Sequence, residues 1–190
     1  DSLNDVRSVT KSVVSTLTGI ALKEGFISSL NETVGEHLVN YPVELTEVQK
    51  SITIQYLLTM SGGFEWKEGG TQAYNDWIRA EGELAHLLDL PMANDPGSTF
   101  EYNSPAVHLL SILLEEASDM AIPELANTYL FPHVGIHQMK WEEFPNGHVN
   151  GGAGLDLRPR DLAKFGQLHL QNGQYGGKQI LPESWVPTAT

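Results

Sequence analysis

Ser8 and Lys11 stand three residues apart in the stretch Arg7-Ser8-Val9-Thr10-Lys11-Ser12. Residues at i and i+3 share a helix face, so a serine in the first turn of a helix would meet the lysine amine. The serine hydroxyl can attack a carbonyl if that amine takes its proton, and the amine does so only where burial or nearby positive charge favours its neutral form. The helix N-terminus would add backbone N–H groups for a developing oxyanion. The spacing alone is weak, because 13 serines and 7 lysines in 190 positions produce it readily by chance. A surface serine beside a solvated lysine is the plainer reading of the pair by itself.

Other chemistries find less support. His133 and His137 have the i, i+4 spacing of a helical metal pair, but Pro132 and Gly135 interrupt the helix that would align them and no third ligand follows. No metal site is expected there. His37, His86, His108, His148 and His169 are scattered, with His108 on or beside a helix that starts at Ser104. The sequence contains no G-x-S-x-G, G-x-x-x-x-G-K-[ST] or G-x-G-x-x-G, which argues against an α/β-hydrolase elbow, a P-loop and a dinucleotide site. Gly151, Gly152 and Gly154 read as tight backbone packing rather than a phosphate cradle.

The elements that must carry these residues are mostly helical. Val6, Val9, Val13, Leu17 and Ile20 recur at three- and four-residue intervals, which predicts a helix over about 6–24. Gly25 then serves as its C-terminal cap, and Lys23 suits the last turn. Ser8, Lys11, Ser12 and Ser15 form a polar stripe, and the small residues Ser15, Thr16, Thr18, Gly19 and Ala21 suit a central helix with close neighbours. A shorter helix is predicted over 52–60, stopping at Ser61-Gly62-Gly63, and two weaker ones over Thr71 to Ala80 and Glu83 to Leu90. The clearest pattern begins with Ser104 as N-cap and Pro105 as first helical residue, followed by Val107, Leu110, Leu114 and Ala117. Pro123 to Leu130 and Arg160 to Gln171 complete the helical set, and strand candidates are few.

Composition agrees with one globular domain: 41% of residues are hydrophobic and 18% charged. Eleven basic against 24 acidic residues give a formal charge of −13, which repels phosphate backbones, so nucleic acid is not an expected partner. There is no cysteine, which removes disulfides and thiolate chemistry. No run approaches the roughly 20 apolar residues of a membrane span, and Asp1 to Arg7 lack the pattern of a signal peptide.

In this context the chain resembles the serine β-lactamase and penicillin-binding protein superfamily, particularly its class C and esterase-like group, for which S-x-x-K is a known signature. Further stretches in the right order carry the resemblance: ITIQYLLTMSGGF from Ile52 to Phe64, PGSTFEYNS from Pro96 to Ser104, and the segment from Gly151 through Trp185. The resemblance implies an α+β, β-lactamase/DD-peptidase-like fold. It implies a single domain over 1–190 that is an interior segment, predominantly helical and lacking most of the central antiparallel sheet. Within it would lie a nucleophile helix over about 6–24, a helical region over about 33–145 and a return segment over about 150–190.

The resemblance also assigns roles. Ser8 would be the nucleophile, Lys11 its base, and Tyr102 the tyrosine that passes a proton to the leaving group. Ser104 would face substrate, a demand that competes with capping its helix. The superfamily's third motif, Lys or His followed by a small residue and Gly, is not found in its place. Lys67-Glu68-Gly69 imitates it but precedes Tyr102 and reads as loop. The implied activity is acyl-enzyme hydrolysis of an ester, amide or β-lactam without metal or organic cofactor. The alternatives are a penicillin-binding or sensor-type module that does not turn over and an inactive structural fragment. Family members point to a periplasmic or extracellular location, and the oligomeric state is left open. If the sheet is missing, an apolar surface should lie exposed beside the nucleophile helix, where Val13, Val14, Leu17, Ile20 and Leu22 spread round more than one side.

Overall fold

The computed structural model describes residues 2–69 and 72–189. In chain order, strand β1 (Asn4–Asp5) leads to helix α1 (Val9–Glu24), then to the short helices α2 (Val34–His37), α3 (Glu47–Lys50) and α4 (Ile54–Leu58). Helices α5 (Gln72–Ile78) and α6 (Glu83–Leu88) precede the long α7 (Ser104–Ser118) and α8 (Ile122–Tyr129). Strands β2 (Lys140–Trp141) and β3 (Leu155–Leu157), helix α9 (Pro159–Leu170), the hairpin β4 (Gln174–Tyr175) and β5 (Lys178–Gln179), and helix α10 (Trp185–Ala189) follow. Thr71, the predicted start of one helix, lies outside the described residues.

Helix α1 starts at Val9 rather than Val6. The Val6 N–H is drawn to the Leu155 carbonyl at 2.9 Å, which prolongs strand pairing past β1, and Arg7 adopts a left-handed φ of 49°. The helix ends as predicted: Gly25 has φ 78°, and its N–H reaches the Ala21 and Leu22 carbonyls. At α7 the expectation fails by one residue. Asn103, not Ser104, is the N-cap, with its side chain accepting the Ala106 N–H at 2.8 Å. A cap needs extended backbone, which Asn103 has at φ −140°, ψ 101°. Ser104 is already helical, so its hydroxyl is released from capping.

Helices α1 and α7 form the centre of the molecule. The spacing of Val107, Leu110 and Leu114 suggests one apolar stripe, yet every residue from Ser104 to Leu114 is buried. Such all-round burial marks an internal helix. Val13, Val14, Leu17, Ile20 and Ala21 of α1 are likewise buried, which corrects the expected apolar face on that helix. Val9, predicted inside, is instead partly exposed. The exposed large hydrophobic residues among those described are Val9, Val39, Val48, Phe100 and Leu170, spread over separate elements. Helix α10 covers one side of α1: a Cβ added at Gly19 would lie 2.6 Å from the Trp185 ring, so the glycine is what admits the indole.

The described strands are short. One sheet has the order β1-β3-β2, all antiparallel, with Asp5 opposite Asp156 and Trp141 opposite Leu155, and the β4-β5 hairpin stands apart. A second, smaller aromatic cluster of Trp66, Trp77 and Phe144 lies beside the main core. The predominance of helix with only small sheets agrees with the expected β-lactamase/DD-peptidase-like segment.

Candidate active site

Ser8 takes the N-cap position of α1, but its side chain makes no capping hydrogen bond. The residue is exposed, so its hydroxyl is open to an incoming carbonyl. Lys11, one turn on, is buried and donates from Nζ to Ser8 Oγ at 3.3 Å and to the Gly152 carbonyl at 2.6 Å. The same nitrogen lies 4.8 Å from the centre of the Tyr102 ring, within cation–π range. Three residues singled out from sequence, Ser8, Lys11 and Tyr102, therefore meet around one nitrogen.

The expected gift of N–H groups from the first turn is smaller than helix logic suggests. Val9, Thr10 and Lys11 donate their N–H groups to the carbonyls of Val6, Arg7 and Ser8. A tight turn of this kind satisfies donors that an open helix end would leave free. The left-handed Arg7 that produces it costs about 1–2 kcal/mol for a side-chain-bearing residue, and such strain gathers at functional sites.

Residues 150–154 form the opposite wall. Thr10 Oγ1 donates to the Arg7 carbonyl at 2.6 Å and accepts the Leu155 N–H at 3.2 Å, tying α1 to the start of β3. Asn150 Oδ1 accepts the N–H groups of Gly152 and Ala153 at 3.0 and 3.1 Å, folding the loop on itself. Gly152 sits against α7 so closely that a Cβ would meet the Ser104 carbonyl at 2.7 Å. The glycines thus act as tight backbone packing, as expected, and they aim the Gly152 carbonyl at Lys11.

Ser104 lines the cleft that Ser8 opens into, together with Glu68, Tyr74 and Glu142. Its hydroxyl and its N–H both donate to the Glu68 carboxylate, the latter at 2.9 Å. Trp66 Nε1 also donates to Glu68, at 2.7 Å. The loop set aside as an imitation third motif therefore does reach the site, through its acid rather than through Lys67. Tyr74 accepts from Asn150 Nδ2 at 3.3 Å, and burial pushes its phenol above the usual range.

Behind this wall lies a buried pair that the motifs did not foresee. Gly151 N–H donates to His108 Nδ1 at 3.3 Å, and His108 Nε2 faces Glu83 Oε1 at 3.4 Å. Burial pushes the Glu83 carboxyl up, but hydrogen bonds from His108 and Asn146 outweigh it and hold the group down at about 2. The sequence signal is a polar His108 inside the apolar run of α7. Glu68 has no comparable local signal. His133 bonds the Thr128 carbonyl through Nε2, and no cluster of potential metal ligands is found among the described residues.

Comparison with known proteins follows this geometry. The chain is 23% identical over 203 residues to a 6-aminohexanoate-dimer hydrolase of Paenarthrobacter ureafaciens, an alignment covering 98% of this chain and 50% of that protein. A Bacillus anthracis structure given the same hydrolase designation provisionally superposes with a TM-score of 0.84 at 22% identity, covering 99% of this chain and 53% of the other. A penicillin-binding protein of Bacillus halodurans superposes at 0.75 with 18% identity, covering 97% of this chain and 64% of the other. The chain thus spans about half the length of the curated relatives it matches. The family model described as Beta-lactamase matches residues 1–189, and the helical core and small sheets agree with it: the chain belongs to the beta-lactamase family.

Proposed function

We propose that this chain provides the nucleophile and base of a serine hydrolase that works through an acyl-enzyme. The reading rests on one observation, the 3.3 Å contact between Lys11 Nζ and Ser8 Oγ at the start of a buried helix. Neutral Lys11 accepts the Ser8 proton as Oγ bonds to the substrate carbonyl carbon. The tetrahedral intermediate collapses, the leaving amine or alkoxide takes a proton relayed by Tyr102, and water then releases the acyl group with Lys11 or Tyr102 moving its proton. Ser104 contributes to substrate binding through its oxygen lone pairs, since its proton is committed to Glu68. No metal or organic cofactor enters these steps. The substrate is an ester, amide or β-lactam. A relative named for a 6-aminohexanoate dimer, two amino acids joined through an amide, supports the amide.

A second reading is favoured by the shorter of the lysine's two bonds. Lys11 Nζ is held by Gly152 O at 2.6 Å; once the proton taken from Ser8 has gone to the leaving group, an amine tethered there is less free to activate water, and the acyl group stays on Ser8, as in a penicillin-binding sensor. Mass mapping after exposure to a fluorophosphonate tests the nucleophile, and incubation with an activated ester separates the two readings. Labelling at Ser8, abolished in Ser8→Ala, is expected. Catalytic release of product supports the hydrolase, whereas one equivalent of stable adduct supports the sensor. Labelling of another serine, or undiminished labelling in Ser8→Ala, overturns the assignment.

A further inference from the structure

Between Pro105 and Leu114 the buried length of helix α7 is apolar except for His108 and Ser111, and Glu115 continues their face one turn on. All three meet the segment 148–151. His108 Nδ1 accepts the Gly151 N–H, an added Cβ at Gly151 would come within 2.5 Å of Ser111 Oγ, and Glu115 pairs with His148 Nδ1 at 2.5 Å. The wall of the site is therefore seated on one polar stripe of a buried helix.

The ring orientation of His108 is dictated by its partners. An amide N–H can only donate, so Nδ1 must carry the lone pair, and the proton sits on Nε2, facing Glu83. Both residues are 1% exposed, and His108 is flanked by the Trp77 and Phe144 rings at 5.6 and 4.9 Å. Glu83 is fixed in turn by Asn146 Nδ2 at 2.7 Å. A buried carboxylate–imidazole pair contributes little net stability once desolvation is counted. Its effect lies in geometry. The peptide that follows Gly151 belongs to Gly152, whose carbonyl holds Lys11 at 2.6 Å.

We infer that His108 is a positioning residue for the acylation step: with Glu83 fixing its tautomer, its Nδ1 lone pair seats Gly151 and thereby places the Gly152 carbonyl that aims Lys11 at Ser8. The inference rests on the reading of Lys11 as the base. Displacement of a supporting group by a small distance is enough to matter, since misplacement of the order of 1 Å can cost about 100-fold in rate.

Two near-isosteric variants separate this role from simple packing. His108→Asn keeps an acceptor near the Nδ1 position but leaves Glu83 with fewer donors. His108→Gln keeps a donor near Nε2 for Glu83 but offers nothing to Gly151. Ser8 acylation by an activated ester should fall about 100-fold in His108→Gln and recover to within about tenfold of wild type in His108→Asn, whichever of the two has the lower Tm. The reverse order, or equal rates in both, overturns the role. The 15N spectrum of His108 in the wild-type chain should report an unprotonated Nδ1 and a protonated Nε2; a proton on Nδ1 overturns the inference even if neither variant folds. Should wild-type Ser8 fail to label at all, the base reading falls by itself. Amide exchange then decides the seating of the loop: protection at Gly151 lost in His108→Gln and kept in His108→Asn supports it, and equal protection in both removes it.

Discussion

Around Lys11 three groups gather at one nitrogen: the Ser8 hydroxyl, the Gly152 carbonyl and the Tyr102 ring. Deleting the side chain should lower the rate of Ser8 acylation by about 100-fold or more, the usual size of a lost general base, with the fold retained. Lys11→Arg should not restore it, because a guanidinium does not give up its proton; wild-type acylation in the arginine variant would make the lysine a fixed charge. Gly152→Ala tests the opposite wall. Its Cβ would meet Ser104 backbone at 2.7 Å, an overpacking that should cost about 1–3 kcal/mol, read by chemical denaturation. Acylation should fall along with stability as the carbonyl shifts, and an unchanged melting curve would show that the loop yields freely. The contact between Ser8 and Lys11 was legible because it is local, a single helix turn. The tie between Ser104 and Glu68, 36 residues apart, was not. Ties of the 63–65 loop to residues 91–94 help to bring that acid to α7, and no periodicity encodes such a crossing.

At the scale of elements, periodicity located the long helices and misplaced the starts of α1 and α7. Val6 fits the apolar repeat of α1 but is taken by strand pairing, and Ser104 fits the preference for a cap but is preceded by an asparagine that does the work. Tertiary contacts decide between neighbouring residues of equal propensity. The strands were nearly invisible for a related reason, since segments of two or three residues carry no measurable alternation. The cap makes a direct test. Asn103→Ala should destabilise the protein by about 1 kcal/mol, whereas Ser104→Ala should leave the helix terminus intact and act on the cleft, where Glu68 loses a donor. Denaturation midpoints of the two variants decide the matter; a larger loss in Ser104→Ala would return the cap to Ser104.

Across the whole molecule, 24 acidic residues against 11 basic ones make the response to pH depend on how the buried carboxylates are held. Burial raises Glu83, Asp161 and Glu32, yet in each the bonded donors win. These are His108 and Asn146 for Glu83, Arg158 and Lys164 for Asp161, and Ser28 and His37 for Glu32, so all three sit below their ordinary values. A carboxyl whose pKa is depressed by folding stabilises the native state above its unfolded value and loses that contribution as the pH falls through the folded one. For Glu83 the window runs from 4.5 down to about 2, and a shift of that size corresponds to about 3 kcal/mol. His148 behaves in the opposite sense. Its hydrogen bond to Glu115 raises it against burial, with Glu83 and Glu116 adding to the shift. Its contribution is complete below the unfolded value near 6.5 and disappears as the pH climbs through the raised folded value. Stability should therefore fall on both sides of a weakly acidic maximum. Unfolding free energies measured by urea between pH 2 and 9 should show the acid limb shallower in Glu83→Gln and the alkaline limb shallower in His148→Gln, with Glu83→Gln also easing the alkaline limb slightly because Glu83 adds to the rise of His148. Identical acid slopes in wild type and Glu83→Gln would mean that the carboxylate buried beside His108 titrates the same way folded and unfolded.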